Sequence, residues 1–299
     1  MSSGKLESMR LGLAEKGTKK LVIIKNDKIV YEWFAKGWED STRRHYTASL
    51  AKALVGGMSL AAALDDGYLT LDQPACRYIS SWKDNYEKSK ITIRQLATHT
   101  AGLMDAEGVG ANYSDLPGWK GQFWRNEPDP FSISRDSVPL VSTPGGKYAY
   151  SNPGIAMLTY GVTASLKDSE YRDIRTYLKR RVFEPIGIDD REYTIGYGKT
   201  YEVDGLKLVP SWGGGEFTAK AIARIGLLML HKGHWQDRQI IDSSIINQVI
   251  HYGNTALPNP LPTPHPLLQP VGTVILMGFG KEFPEMPLPV PARATNCWW

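Results

Sequence analysis

The segment Ser49-Leu50-Ala51-Lys52 places a hydroxyl and an amine three residues apart. On a helix, positions i and i+3 share a face, so the serine oxygen and the lysine nitrogen can meet. A lysine desolvated beside a serine can hold its amine neutral and take the serine proton, which activates an oxygen nucleophile without histidine. A serine at a helix N-terminus also brings its own backbone N–H to where an oxyanion forms. The spacing alone carries little. Roughly one Ser-x-x-Lys arises by chance in a chain this long, and others begin here at Ser2 and Ser80. Ser2 sits near the N-terminus and Ser80 in a polar loop after Pro74, whereas Ser49 opens an apolar helical stretch. A second constellation is Tyr150-Ser151-Asn152. A phenol beside a lysine can shuttle a proton between nucleophile and leaving group. An asparagine two residues on points the same way along extended backbone, and its amide can bind a substrate carbonyl or hold the lysine. Tyr252-Gly253-Asn254 has the same letters, and the plain alternative for Tyr150 is a partly buried tyrosine ahead of a helix.

The elements that would position these residues are readable from pattern. Lys20–Phe34 is two β-rich runs joined by Asn26-Asp27, a two-residue hairpin signal. Thr47–Leu64 reads as a helix stopped at Asp65-Asp66-Gly67, with Gly56-Gly57 allowing a close neighbour. Thr92-Ile93-Arg94-Gln95 is a capping-box pattern that opens a short helix through His99. The glycines and proline from Gly102 to Gly121 mark a loop, and Pro144-Gly145-Gly146 turns the chain before Tyr148. Pro153–Leu166, Glu170–Phe183 and Thr218–His231 are helical in pattern. The order of elements predicts an α+β protein with a helical region inserted into a sheet domain.

Composition removes several function classes. The 299 residues are 42% hydrophobic and 22% charged with a net charge of +4, which is enough to bury a large core and excludes wholesale disorder. Basic residues are scattered among acids, so no nucleic-acid partner is expected, and no apolar run approaches the roughly 20 residues of a membrane span. Cys76 and Cys297 cannot build a disulfide scaffold or a cysteine-rich metal site, and the histidines form no metal set, so neither metal nor cofactor is expected. Phosphate-cradling glycine loops and a Gly-x-Ser-x-Gly elbow are missing from the sequence. Met1–Arg10 lacks the layout of a secretory signal, which predicts a cytoplasmic protein unless a leader was removed. Ten of the 19 prolines fall between Pro258 and Pro291, a density that neither a sheet ladder nor a helix accepts. One apolar run there, Val271–Met277, reads as a strand.

Read together, the Ser49 segment, Leu96-Ala97-Thr98-His99-Thr100-Ala101-Gly102-Leu103 and Tyr150-Ser151-Asn152 resemble the class C β-lactamase and penicillin-binding-protein-like serine hydrolases, including family VIII carboxylesterases and D-aminopeptide hydrolases. Asp65–Asp72, Phe183–Ile188 and Gly213–Gly215 leading into Thr218–Gly226 add matches in the right order from about residue 18 to 245. The resemblance implies Ser49 as nucleophile, Lys52 and Tyr150 as acid–base pair, Asn152 at the substrate, and an acyl-enzyme intermediate. It implies a β-lactamase/transpeptidase-like fold: an antiparallel sheet flanked by helices, with a mostly helical insert. The corresponding division is residues 1–65 and 205–299 for the sheet domain and 66–204 for the helical one, with 258–299 an irregular tail. His99 is not implied as catalytic and is expected to be a capped-helix histidine. Phe123, Trp119 and Trp124 wall an acyl pocket or simply pack.

The family's third motif, Lys/His/Trp-x-Gly on a late strand, is matched only in letters. Trp212-Gly213-Gly214 fits, but it comes 62 residues after Tyr150 and leads straight into a helix. The last strands of the family would fall where the proline-rich tail lies, so the C-terminal strands are expected to be incomplete. The composition break after about Tyr252 raises the expectation of a truncated or frameshifted C-terminus. Three readings follow: a serine hydrolase acting on a small ester or amide, a carboxylic ester first, with β-lactam or D-amino peptide as alternative substrates; a non-catalytic ligand-binding homologue; or a chain that folds poorly through an unpaired sheet edge. Oligomeric state is not legible.

Overall fold

The computed structural model describes residues 3–108, 112–250 and the strand 273–278. In chain order the regular elements are α1 (Ser3–Glu15), β1 (Lys20–Lys25), β2 (Lys28–Phe34), β3 (His45–Tyr46), α2 (Met58–Asp65), α3 (Ile93–Ala97), α4 (Gly118–Arg125), α5 (Pro130–Ser132), α6 (Asn152–Ser165), α7 (Ile174–Leu178), β4 (Tyr193–Thr194), β5 (Tyr201–Val203), β6 (Leu206–Leu208), β7 (Glu216–Phe217), α8 (Ala219–Leu230), β8 (His234–Trp235), β9 (Arg238–Gln239), α9 (Ser243–Ile250) and β10 (Thr273–Gly278). The hairpin closes as its sequence predicts: Asn26 and Asp27 both take positive φ, 49° and 64°, which twists the turn to match its strands.

Strand order in the main sheet is β10-β1-β2, with β1 antiparallel to β2 and parallel to β10. The antiparallel expectation therefore holds for the hairpin, while the late strand runs the other way. A central strand needs apolar residues on both faces, and Leu21, Val22, Ile23 and Ile24 are all buried. Val22 and Ile24 pack on Ala219 and Ala223 of α8, whose small side chains let the helix lie close to the sheet. The expected strand Val271–Met277 is found as β10; the rest of the tail lies outside the described residues, as do Tyr252-Gly253-Asn254 and Cys297. A second small sheet, β3-β7-β4, joins the segment just before Ser49 to the segment just after Gly215.

The predicted helix at Thr47–Leu64 is a composite. A 3-10 turn Ala48–Leu50 runs into a π-helical stretch Lys52–Gly57 and then α2. Its 18 residues Ala48–Asp65 are, by length and composition, apolar enough to cross a membrane, at a mean hydropathy of 1.2; here 56% of that window is buried inside the protein, as the core helix. Gly56 permits the close approach of Ser211, whose Oγ would lie 3.2 Å from a β-carbon there. Arg181 ties the end of this helix to the rest through Asp65 and Asp66, and the Tyr177 hydroxyl donates to Asp66 at 2.6 Å.

The segment His99–Leu103 acts as a strap for the chain that carries Tyr150. Ala149 N–H donates to His99 O at 2.7 Å, Gly145 N–H to Thr100 O at 2.8 Å, and Val141 N–H to Gly102 O at 2.7 Å. The capping box forms as predicted, with Gln95 N–H on Thr92 Oγ1 at 3.2 Å and Thr92 N–H on Gln95 Oε1 at 3.0 Å. The helix ends sooner than expected, at Ala97, because His99 turns into positive φ (57°) and breaks the ladder. Gly102 has φ +79°, and a β-carbon there would stand 2.2 Å from the carbonyl oxygen of Ser142. Backbone cannot yield as a side chain does, so Gly102→Ala is expected to lower the unfolding free energy by about 2–4 kcal/mol in urea titrations.

Candidate active site

The segment before Ser49 is fixed by Thr47, whose N–H and Oγ1 both donate to Gly215 O, at 2.8 and 3.0 Å. Ala48 then takes φ +47°, a strained value for a residue with a β-carbon, and delivers Ser49 half-buried at the start of the helical run. Tyr150 and Asn152 arrive from the other side. Ser151 caps α6 by accepting from Gly154 N–H at 2.9 Å, with Pro153 in the first turn where its missing N–H costs nothing.

Four of the residues singled out from sequence meet at one place. Ser49 Oγ lies 2.7 Å from Tyr150 Oη and 3.1 Å from Lys52 Nζ. Lys52 Nζ also donates to Asn152 Oδ1 and to the backbone carbonyl of Trp212, each at 2.7 Å, and sits 4.7 Å from the Tyr150 ring centre. Asn152 is buried at 1% exposure. Burial pushes the Tyr150 phenol well above its ordinary range, opposed in part by its hydrogen bond to Ser49. It is therefore a neutral hydrogen-bond donor at rest.

Trp212 belongs to the site through its backbone. Its side chain is 3% exposed and is clamped between Phe123 and Phe131, at ring distances of 5.1 and 5.4 Å, which fixes the carbonyl against Lys52. Phe123 is thus occupied in packing. Trp124 donates its Nε1–H to Ala106 O at 3.0 Å. Gly214 has φ +72° and its carbonyl accepts from Tyr197 N–H at 3.0 Å, so it does not touch Lys52 in the way Trp212 does.

Three further residues adjoin the site: His99, which lies in the Leu96–Leu103 match but is expected there only as a helix-cap histidine, and Asp105 and Glu107, which no motif marks. His99 stacks on the Tyr150 ring, with centres 4.8 Å apart at 29°, and its Nδ1 accepts from Ser151 N–H at 3.1 Å. Accepting there puts the proton on Nε2 and requires a neutral ring. Burial first and the charge of Lys52 second push its pKa down to about 3. The expected helix-cap histidine is therefore a platform for the phenol. Asp105 and Glu107 lie behind Asn152 in the loop that follows the strap: Asp105 Oδ1 accepts from its backbone N–H at 2.8 Å, and both acids accept from Nδ2 at 3.0 Å. Two acids in a glycine-rich loop look like ordinary solvated charges in a sequence, and only the tertiary fold turns them inward.

No curated protein sequence matches the chain. Among solved structures the fold is similar to that of a Bacteroides dorei protein provisionally named a beta-lactamase (TM-score 0.66, 18% identity, 88% of this chain and 73% of that one). It is also similar to a Bacillus anthracis protein provisionally named a 6-aminohexanoate-dimer hydrolase (TM-score 0.62, 18% identity, 81% of this chain and 61% of that one). An octameric penicillin-binding protein homologue from Pyrococcus abyssi follows (TM-score 0.60, 18% identity, 83% of this chain and 59% of that one). The chain thus spans less than two thirds of the length of the last two, and at this identity the likeness is one of fold. The beta-lactamase family matches residues 9–201, a span that takes in Ser49, Lys52, Tyr150 and Asn152 and stops short of Trp212. With most of its length so matched and that fold around it, the chain belongs to the beta-lactamase family.

Proposed function

We propose that the chain is a serine hydrolase that cleaves small carboxylic esters through an acyl-serine at Ser49, with Lys52 and Tyr150 as its acid–base pair. The donor count at Lys52 carries this reading. At rest the Lys52 ammonium donates to Asn152, Trp212 and Ser49; once its third proton is lost, the amine that acts as base has two hydrogens and one lone pair. Asn152 Oδ1 and Trp212 O, both at 2.7 Å, have no hydrogen to give, so they take the two N–H groups. The lone pair is left for the Ser49 hydroxyl at 3.1 Å. Lys52 takes that proton as Ser49 Oγ bonds to the ester carbonyl carbon and the carbonyl electrons move onto oxygen. The resulting ammonium has all three hydrogens accepted, by Asn152, Trp212 and the Ser49 oxygen. The backbone N–H of Ser49 is the natural donor to the oxyanion.

Collapse re-forms the carbonyl and breaks the ester C–O bond. The departing alkoxide takes a proton from Tyr150, which is suited to give it because burial keeps the phenol protonated. The phenolate is reprotonated from the Lys52 ammonium beside its ring. Water then attacks the acyl-serine by the reverse proton path, releasing the carboxylic acid and restoring Ser49. Neutral esters are favoured by the charge around the site. The third-motif letters begin with Trp212, which offers no cation, and Asp105 and Glu107 stand behind Asn152. A substrate carboxylate, as β-lactams and peptide C-termini carry, is repelled there.

A fluorophosphonate is expected to label the protein at Ser49 by mass spectrometry, and Ser49→Ala to abolish the adduct. Folded protein that never labels would instead support a ligand-binding homologue. Lys52→Ala and Tyr150→Phe should each lower kcat/KM for a p-nitrophenyl ester by about 10²–10⁴-fold. A higher kcat/KM on a chromogenic cephalosporin or a D-alanyl anilide than on short esters would reassign the substrate class.

A further inference from the structure

Asp105 and Glu107 have no part in the proton path, yet they decide how Asn152 faces it. Asp105 Oδ1 takes two N–H bonds from that one residue, from its backbone at 2.8 Å and its Nδ2 at 3.0 Å, and Glu107 Oε1 takes the other Nδ2 hydrogen at 3.0 Å. An ionised carboxylate only accepts. Asn152 must therefore turn its NH2 toward the acids and its oxygen toward Lys52. The reversed amide would set oxygen against two carboxylates and NH2 against the lysine's own donor. The acid loop is held in turn by α4, where Trp124 Nε1 donates to Ala106 O at 3.0 Å and Lys120 Nζ to Glu107 O at 2.9 Å.

This arrangement works against folding stability. Burial first, then the neighbouring charge of Glu107, push the Asp105 carboxyl up to about 6. The groups facing it are Glu107 on its own loop, Lys52 and Tyr150 across Asn152, and Tyr113, whose phenol is hydrogen-bonded to Glu107. A carboxyl raised in the folded state keeps its proton longer than in the unfolded chain. Its contribution to stability is present below about pH 4 and is lost as pH rises through about 6. At neutral pH the ionised form is retained at a cost to folding, as is usual of groups kept for function.

We propose that Asp105, backed by Glu107, is a positioning residue: as a carboxylate it locks the Asn152 amide so that Asn152 Oδ1 holds Lys52 in line with Ser49. The proposal rests on the acyl-serine reading for the work Lys52 does, and on the geometry alone for the work Asp105 does. Asp105→Asn and Asp105→Ala in the full chain test it, through p-nitrophenyl ester turnover, the rate of Ser49 labelling by a fluorophosphonate, and melting temperature, each against pH. The expected result for Asp105→Asn at pH 7.5 is a ten- to hundredfold loss of kcat/KM with a melting temperature equal to or above the native one. That advantage should shrink as pH falls through about 6, the value to which the native carboxyl is raised. The native labelling rate should drop below that pH, and the variant should lack this limb. Asp105→Asn added to Asn152→Ala should cost nothing further. Native kcat/KM with a native pH profile would overturn the proposal, as would a loss of activity that tracks a fall in melting temperature. If the native protein never labels at Ser49, the acyl-serine reading fails, and a crystal structure of Asp105→Ala still decides the role of Asp105. Loss of the Lys52–Asn152 hydrogen bond supports it, and its retention overturns it.

Discussion

The amine of Lys52 is where three separate stretches of the chain are made to agree. It touches Ser49 on its own helical run, Asn152 at the start of α6, and the carbonyl of Trp212 ahead of α8. Each partner reaches it from a different support. The strained Ala48 and the Thr47–Gly215 bonds deliver Ser49, the capped and proline-started α6 delivers Asn152, and two phenylalanines fix Trp212. An amine so hydrogen-bonded is worth more as a reporter of geometry than as a source of stability, since even a half-buried lysine gives up hydration. The fold around it can be understood as the set of constraints that keeps those partners in reach.

Beside that amine, the strap His99–Leu103 does two jobs with one short segment. Its backbone pairs with the chain that leads to Tyr150, and its one imidazole stacks under the phenol while accepting from Ser151 N–H. A charged imidazole could do neither, since it would repel Lys52 and lose its lone pair. Desolvation keeps it neutral, so the aromatic stack and the hydrogen bond coexist at any pH well above about 3.

Much of this is written in residue types and spacing. Ser49 and Lys52 on one helix face, Tyr150 and Asn152 on extended chain, the Asn26-Asp27 turn and the Thr92–Gln95 capping box all follow from local geometry, and the structure contains each. What stayed illegible depends on tertiary contact. Asp105 and Glu107 have the look of solvated loop charges until α4 holds their loop against Asn152. Phe123 offers an acyl-pocket wall or packing equally well by sequence, and the contact with Trp212 assigns it to packing. Periodicity likewise says nothing about strand direction, and β10 lies parallel to β1. The Ser49 helix reads as one continuous stretch, and periodicity does not show its change of winding from 3-10 to π to α.

One of the acceptors that hold the lysine is a main-chain carbonyl, and this makes part of the site invisible to side-chain genetics. Replacing Trp212 leaves the carbonyl oxygen in the chain, so an alanine scan cannot delete that contact; it can only let it drift by loosening the clamp of Phe123 and Phe131. Sequence drift at position 212 is accordingly filtered by bulk and shape rather than by hydrogen-bonding chemistry. A site held in this way can change the letters of its wall while keeping the same atom pointed at Lys52.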